Sequence, residues 1–267
     1  MAKSSKTAGH QARKRFGQNF LSDDAVIARI VSGINPRPGD RMVEIGPGLG
    51  ALTEHLLDEL EGKLQVVELD RDLIPVLRTK FFNYPDFNIH EADALKFDFN
   101  ALADEEHPLR VVGNLPYNIS TPLIFHLLSN IKHLKDMHFM LQKEVVERMA
   151  AMPGQSHYGR LGIMTQYYCR VQPLFIVGPE AFEPAPKVES AIVRLVPHAQ
   201  LPHPVESIER LQSIVKTAFT KRRKTLRNAL AGVIDLEALA ELDIDPGLRP
   251  ENLSLGQYAA LANWKAS

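Results

Sequence analysis

The sequence has one cysteine and no long apolar run, and each of these absences excludes a class of protein. With Cys169 as the only cysteine among 267 residues, neither a disulfide framework nor a cysteine-rich metal site can form, which is typical of a reducing cytoplasm. No stretch approaches the roughly 18 apolar residues of a membrane span, and the N-terminal segment lacks the apolar core of a secretion signal. We therefore expect a soluble cytoplasmic protein with no membrane partner.

An excess of one charge is also lacking, since the formal net charge is -1. Basic residues are nevertheless concentrated in an acid-free N-terminal arm, which includes Arg13, Lys14 and Arg15, and in a downstream cluster. The cluster consists of Lys221, Arg222, Arg223, Lys224 and Arg227. This segregation predicts a basic face for a polyanion on a nearly neutral protein. A solvated helix face is the alternative for the cluster, and an organelle-targeting segment is the alternative for the arm.

The apolar pattern alternates between strand and helix periods from Asp23 to Val196. It predicts strands at residues 42–45, 64–69, 87–91, 109–112 and 137–141, and a pair of later strands at 171–177 and 191–196. Strands that alternate with helices predict an α/β fold with a doubly wound, mostly parallel sheet of the Rossmann-like type.

Composition changes at Pro197–Pro204, which is predicted to be a linker, and only helix patterns follow it, at residues 211–230, 236–242 and 255–264. We predict a catalytic domain over residues 1–200, beginning with a basic arm at 1–21, and a small all-helical domain over residues 201–267. On a helix from Leu211, Arg222 falls on the apolar side. This position indicates either a break near Thr220 or an inward-reaching arginine.

A glycine turn follows the first predicted strand of the sheet, in the segment Gly46-Pro47-Gly48-Leu49-Gly50. Glycines before a helix let backbone N–H groups approach a ligand closely. Glu68 ends the next strand, where a carboxylate can accept hydrogen bonds from ribose hydroxyls, and Asp93 follows the third, where it can bind an adenine amino group. A helix cap or a turn residue is the alternative role of Asp93. The pattern predicts a nucleoside ligand, but it also satisfies the fingerprint of dinucleotide-binding proteins, so both ligand classes stay open.

The segment Asn114-Leu115-Pro116-Tyr117 ends a buried strand in a polar, aromatic turn, and Thr121-Pro122 after it predicts a helix start. An adenine amine is a poor nucleophile because its lone pair is delocalised into the ring. The Asn114 side-chain oxygen and the Leu115 carbonyl can accept its two N–H bonds, and the Tyr117 ring can stack on the base. Phe182 is a candidate for the other face of the base, and packing on the core is its alternative role.

These residues stand in six ordered motifs that resemble the small-subunit ribosomal RNA adenine N6,N6-dimethyltransferases of the KsgA type, over nearly the whole chain. The motifs are residues 15–21 (RFGQNFL), 44–48 (EIGPG), 68–70 (ELD), 93–94 (DA), 114–120 (NLPYNIS) and 182–188 (FEPAPKV). The resemblance implies a class I methyltransferase fold and S-adenosylmethionine as the methyl donor. It implies two adjacent adenines in a hairpin loop near the 3′ end of 16S rRNA as the target, within an assembling small ribosomal subunit.

Carried over by motif, the resemblance implies cofactor contacts and a target-base site. The cofactor contacts are Asn19, Leu21, Gly46, Gly48, Glu68, Asp93 and Asn114. The target-base site consists of Asn114, Leu115, Tyr117 and Phe182. Because a sulfonium methyl is already activated, we expect no metal, and we expect the protein to act as a monomer. The arm at Arg13–Arg15 precedes the first motif directly, so we expect it to touch RNA or to cover the cofactor.

Overall fold

The computed structural model describes residues 19–116 and 118–265, and within them strands and helices alternate through most of the chain. The elements up to the sixth strand are β1 (Phe20–Leu21), α1 (Asp24–Ile34), β2 (Arg41–Ile45), α2 (Ala51–Glu59), β3 (Leu64–Glu68), α3 (Leu73–Lys80), β4 (Phe87–Glu91), β5 (Leu109–Asn114), α4 (Ser120–Asn130) and β6 (Leu134–Gln142). The later elements are α5 (Lys143–Ala150), α6 (Arg160–Tyr168), β7 (Cys169–Val177), β8 (Phe182–Glu183), β9 (Ser190–Pro197), α7 (Ile208–Thr220), α8 (Leu226–Ala229), α9 (Leu236–Glu241) and α10 (Leu255–Asn263).

Seven strands form one sheet in the order β4-β3-β2-β5-β6-β9-β7. Neighbours from β4 to β6 pair in parallel, so their carboxyl ends meet at one edge of the sheet. This arrangement confirms the predicted doubly wound, mostly parallel sheet, and β7 and β9 are neighbours as expected. A separate two-stranded sheet joins β1 to β8. None of the helices in the described residues is long and apolar enough to cross a membrane.

Helix α1 shows how the local sequence builds the layer on one face of this sheet. The Asp23 carboxylate accepts hydrogen bonds from the first free N–H groups of the helix, and Asn35 ends it in a left-handed conformation. Ile27, Ile30 and Ile34 recur at helical spacing and are buried in the main core cluster. The helix therefore covers the face of the sheet that carries Val112 and Met140.

By internal contacts, the chain divides into two compact units at borders that differ from the predicted one. One unit contains the chain up to Lys143 and Leu174–Arg194, and the other contains Glu144–Pro173 and Leu195 to the C-terminus. The boundary expected after residue 200 therefore lies inside the second unit. The physical reason is that α6, which precedes the expected linker, packs with α7 and α10. The change in amino-acid composition at Pro197–Pro204 therefore marks a change of local structure, but it does not mark the border of a compact unit.

Two helix ends also differ from the sequence-based expectations. Helix α4 begins at Ser120, and its N-cap is Ile119 and not the expected Thr121. Pro122 is accommodated in the first turn, where its missing N–H would have no partner within the helix. The continuous helix expected at 211–230 is divided, because α7 ends at Thr220 and α8 begins at Leu226.

Candidate active site

A cavity of about 270 Å³ opens at the carboxyl ends of the parallel strands. Its lining includes the ends of β2, β3 and β5, the turns that follow them, and the β1–β8 sheet. In open α/β sheets this edge is the usual place for a ligand. All seven predicted cofactor residues line this cavity, and so do Leu115 and Phe182. The structure therefore brings together most of the site that the motifs predicted.

The glycine turn forms one wall of the cavity and needs glycine for two physical reasons. Gly46 and Gly48 both adopt left-handed backbone conformations, with φ of 67° and 60°. A side chain at Gly48 would also approach the Phe20 ring, since an added Cβ would lie 3.1 Å from Phe20 Cδ1. Helix α2 follows the turn with Gly50 as its N-cap. The turn thus presents backbone to the cavity without side-chain bulk.

Two carboxylates and one leucine form the end of the cavity suited to a nucleoside. Glu68 is 7% exposed, and its Oε1 accepts the Asp70 backbone N–H at 2.8 Å. Asp93 Oδ1 accepts the Leu95 N–H at 3.0 Å, which orients that carboxylate after β4. Leu69 lies beside Glu68, lines the cavity and has 52% of its surface exposed. It offers an apolar surface on which a purine ring can pack.

The segment at the end of β5 is oriented by bonds to two other segments. Asn114 Nδ2 donates to the Asn19 carbonyl at 3.2 Å, which leaves Oδ1 as the acceptor of this side chain. The Leu115 N–H donates to the Met140 carbonyl at 3.3 Å. Gly113, just before Asn114, lets β5 lie close to the end of β2, because an added Cβ would lie 2.5 Å from the Ile45 carbonyl oxygen. Asn114 and Leu115, whose oxygens the sequence predicted as acceptors of the amine, therefore both line the cavity.

The small β1–β8 sheet positions Phe182 at the same cavity. Leu21 pairs with Phe182, and Phe20 pairs with Glu183. Phe182 is 5% exposed and belongs to the main core cluster while it also lines the cavity. The position of Phe182 is thus compatible with both roles that the sequence left open, which are to cover a face of the target base and to pack on the core. The pairing also attaches the Asn19–Leu21 segment to the loop that carries Phe182.

The charge of the cavity lining has one sign. Its carboxyl groups are Glu44, Glu68, Asp70, Asp93 and Glu183, and no lysine or arginine from the described residues lines it. Burial raises the pKa of Glu44 to about 7 against an opposing 2.6 Å hydrogen bond from Thr53 Oγ1. Burial also raises the pKa of Glu68, opposed by backbone hydrogen bonds. Such a lining suits a cationic ligand and disfavours a pyrophosphate.

The predicted RNA-binding residues fall into two groups. Arg13, Lys14 and Arg15 lie outside the described residues, as does Tyr117 of the target-base site. In the second unit, the basic segment (residues 221–227) leaves α7 and enters α8 with its five cationic side chains exposed. Arg222 Nη2 donates to the Ser156 carbonyl at 2.6 Å, and its Nε lies 3.8 Å from Glu251. The break near Thr220 that the helix pattern allowed is present, whereas Arg222 is exposed and does not reach inward, although it has these partners in the second unit.

Sequence reasoning missed several residues of the cavity. Leu69 stands between Glu68 and Asp70 in a quoted motif, so an apolar residue at the carboxyl end of a strand was an available signal. Glu44 lies inside an apolar strand, where a single carboxylate indicates a special environment. Met140 and Ile192 carry no such signal, because only the sheet order places Met140 beside Asn114 and brings Ile192 on β9 to the cavity. Within the part of the chain that the structure describes, no group of three potential metal ligands comes together.

Comparison with known sequences points to one family. A family model described as ribosomal RNA adenine dimethylase matches residues 9–267. A ribosomal RNA small subunit methyltransferase A from Marinobacter nauticus is 68% identical over 255 residues, which cover 96% of this chain and 92% of that protein. The protein of the same name from Hahella chejuensis is 60% identical over 264 residues, which cover 99% and 96% of the two chains.

Solved structures with the same architecture include two RNA-modifying enzymes. A dimethyladenosine transferase from Plasmodium falciparum superposes with a TM-score of 0.78 at 27% identity, covering 91% of this chain and 95% of that one. The 23S rRNA methyltransferase ErmE superposes with a TM-score of 0.72, also at 27% identity, covering 91% and 98%. Both likenesses extend over nearly the whole chain.

Proposed function

The chain belongs to the ribosomal RNA adenine dimethylase family, and from this premise we propose that it methylates two adjacent adenines in the hairpin loop near the 3′ end of 16S rRNA. Each N6 atom receives two methyl groups from S-adenosylmethionine, and the substrate is an assembling small ribosomal subunit in the cytoplasm. The enzyme acts as a monomer. The observation that carries the proposal is the cavity in which carboxylates and two adenine-amine acceptors meet.

The residues of the cavity fit S-adenosylmethionine, which supplies a methyl group already activated on a sulfonium. Glu68 would accept hydrogen bonds from the ribose, Asp93 would accept one from the adenine amine, and Leu69 would pack on the adenine ring. The glycine turn leaves room for the methionine part, because a Cβ at Gly48 would crowd Phe20. The carboxylates, with no described cation beside them, suit a ligand with a sulfonium and an ammonium group. A dinucleotide would place two negative phosphates in this acidic lining.

The target adenine is held by groups at the end of β5. Asn114 Oδ1 and the Leu115 carbonyl accept the two hydrogens of the amine, which keeps the nitrogen lone pair directed toward the methyl donor. Phe182 covers one face of the base, and Tyr117, by its place in the motif, stacks on the other. A base reaches such a cavity only when it is unstacked, which agrees with a target in a hairpin loop.

Small-subunit RNA is favoured over large-subunit RNA as the substrate by the comparisons. Relatives named small subunit methyltransferases share 60% to 68% identity with this chain, whereas the 23S rRNA methyltransferase shares 27%. The basic segment supports a polyanionic partner, because its exposed cations other than Arg222 have no ion-pair partner among the described residues. We propose that Lys221, Arg223, Lys224 and Arg227 contact RNA phosphates, together with the Arg13–Arg15 arm.

Replacement of Asn114 tests the proposed chemistry. We expect Asn114→Ala to lower the rate of methyl transfer by about 10²-fold or more, since one preorganised acceptor of the reacting amine is lost. Affinity for S-adenosylmethionine, measured by isothermal titration, should change far less. Asn88→Ala, at an exposed position of β4 that does not line the cavity, is the control and should retain most activity. An Asn114→Ala enzyme with wild-type turnover, or a wild-type protein that binds NAD but not S-adenosylmethionine, would contradict the proposal.

A further inference from the structure

Double methylation of one nitrogen changes the hydrogen bonds that the target site can make. The first transfer forms a bond between N6 and the methyl carbon and breaks the carbon–sulfur bond, whose electron pair stays on sulfur. One proton leaves N6 and passes to solvent water, so one N–H replaces the original two. Asn114 Oδ1 and the Leu115 carbonyl can then no longer both be satisfied by the amine. The first methyl group must lie beside one of these two acceptors during the second transfer.

Burial decides which acceptor is left without its N–H. Leu115 is 1% exposed, and its own N–H is bound to Met140, so the turn is fixed in a buried position. Asn114 is only half-buried. An unpaired buried carbonyl is more costly than an unpaired amide oxygen that water can reach. The remaining N–H should therefore stay on the Leu115 carbonyl, and the methyl group should lie on the Asn114 side.

The Asn114 side of the cavity has an apolar wall. Asn114 and Met140 are partners in the parallel pairing of β5 and β6, so their side chains leave the same face of the sheet about 5 Å apart. Met140 is 3% exposed and lines the cavity. Phe182 and Ile192 line the same cavity and belong to one core cluster with Met140. A methyl group beside Asn114 would thus meet hydrocarbon and sulfur, which is favourable.

We propose that Met140, Phe182 and Ile192 form a methyl recess that receives the first methyl group, and that Met140 makes the site specific for dimethylation. This inference rests on the proposed function. Methionine suits the role because its apolar, polarizable side chain has a volume that leaves space for one methyl group. A side chain of larger volume would close the recess after the first transfer.

Two substitutions, one on each of two strands, test the proposal by narrowing the methyl recess. Met140→Phe narrows it from β6, and Ile192→Phe narrows it from β9. Single-turnover reactions with undermethylated small subunits, analysed by mass spectrometry, give the rate constants of the first and second transfers separately. We expect the ratio of second to first to fall at least tenfold in both variants, with N6-monomethyladenine accumulating. RNA that already carries one methyl on the target should be a correspondingly poor substrate.

Controls separate this effect from damage to the fold and from failure of the proposed function. Met140→Leu conserves volume and should keep the wild-type ratio, as should Met137→Leu on the opposite face of β6. The proposal is overturned if both phenylalanine variants keep the wild-type ratio, if both transfers slow equally, or if Met140→Leu accumulates monomethyladenine like Met140→Phe. A wild-type enzyme that makes no dimethyladenine would instead refute the proposed function.

Discussion

Asn114 is oriented by a hydrogen bond that its own strand does not supply. Its partner, the Asn19 carbonyl, lies 95 residues earlier in the chain. The motif predicted Asn114 as the amine acceptor from residue type and position alone. Which of its amide atoms faces the cavity depends on Asn19, and no local pattern contains that information. The buried state of Glu44 was equally beyond the sequence, because it depends on how α2 packs over β2.

Glu44 yields a prediction for the dependence of stability on pH. Burial raises its pKa from an ordinary value of 4.5 to about 7, so the folded protein holds this proton where the unfolded chain releases it. Its contribution to stability is therefore lost as the pH rises from about 4.5 to 7. Glu44→Gln, which cannot ionise, should gain stability relative to wild type across this window, by at most about 3 kcal/mol.

Urea unfolding of the ligand-free protein at pH 5 and pH 8 measures this difference. Glu54→Gln, on α2, is a suitable control, because Lys80 lowers the pKa of the Glu54 carboxylate, so that group is ionised in the folded and unfolded states at both pH values and its stability difference from wild type should not change between them. An equal stability difference between Glu44→Gln and wild type at the two pH values would show that Glu44 ionises normally in the folded protein.

At the scale of the elements, Arg110 joins β5 to β6 and to the end of α1. Its Nε and Nη2 bind the two Asp136 oxygens at 2.8 and 3.1 Å, and its Nη1 binds Asp40 at 2.8 Å. Nη2 also donates to the Ile34 carbonyl at 2.6 Å. The sequence predicted the strands and the helix correctly, since their apolar periods are local. It did not predict this connection, because charged residues within a strand do not indicate their partners.

Removal of Arg110 should destabilise the fold strongly. Arg110→Met leaves Asp136 buried with a weaker set of partners, so the free energy of unfolding should fall by about 3 to 5 kcal/mol. Lys135→Met removes an exposed partner of Asp40 and should cost less than about 1 kcal/mol. Chemical denaturation of the two variants provides the comparison, and similar small losses in both would mean that Arg110 contributes no more than a surface charge.

Within the basic segment between α7 and α8, we expect some cations to contribute to RNA binding and Arg222 to contribute to stability. Arg227→Ala or Lys224→Ala should weaken RNA binding and reduce the slope of log affinity against log salt by about 1, as expected for one lost phosphate contact. Arg222→Ala should instead lower the melting temperature, because Arg222 binds Ser156 and Glu251. Filter binding over a salt series distinguishes them. If Arg222→Ala and Arg227→Ala changed the slope of log affinity against log salt equally, the two residues would not have the different roles assigned to them.

At the scale of the whole molecule, the order of elements and the location of the cavity could be predicted from the sequence, but the limits of the compact units could not. The described residues of the motifs that carry the site lie at the carboxyl ends of strands or in and next to the β1–β8 sheet, so the order of the strands brings them together. Two of the three unit borders fall within β7 and β9, and the third lies between Lys143 and Glu144 at the start of α5. A border inside a continuous strand leaves no trace in composition, whereas the apparent linker at Pro197–Pro204 does.

The central claim is that this cavity dimethylates adenines of small-subunit ribosomal RNA. Mass spectrometry of 16S rRNA from cells with the gene intact, deleted, and replaced by the Asn114→Ala form tests it most directly. The account predicts that two adjacent adenines in the 3′-terminal hairpin loop lose all four methyl groups on deletion, and that the Asn114→Ala form fails to restore them. Unchanged methylation after deletion, or methyl groups lost from another RNA, would contradict it.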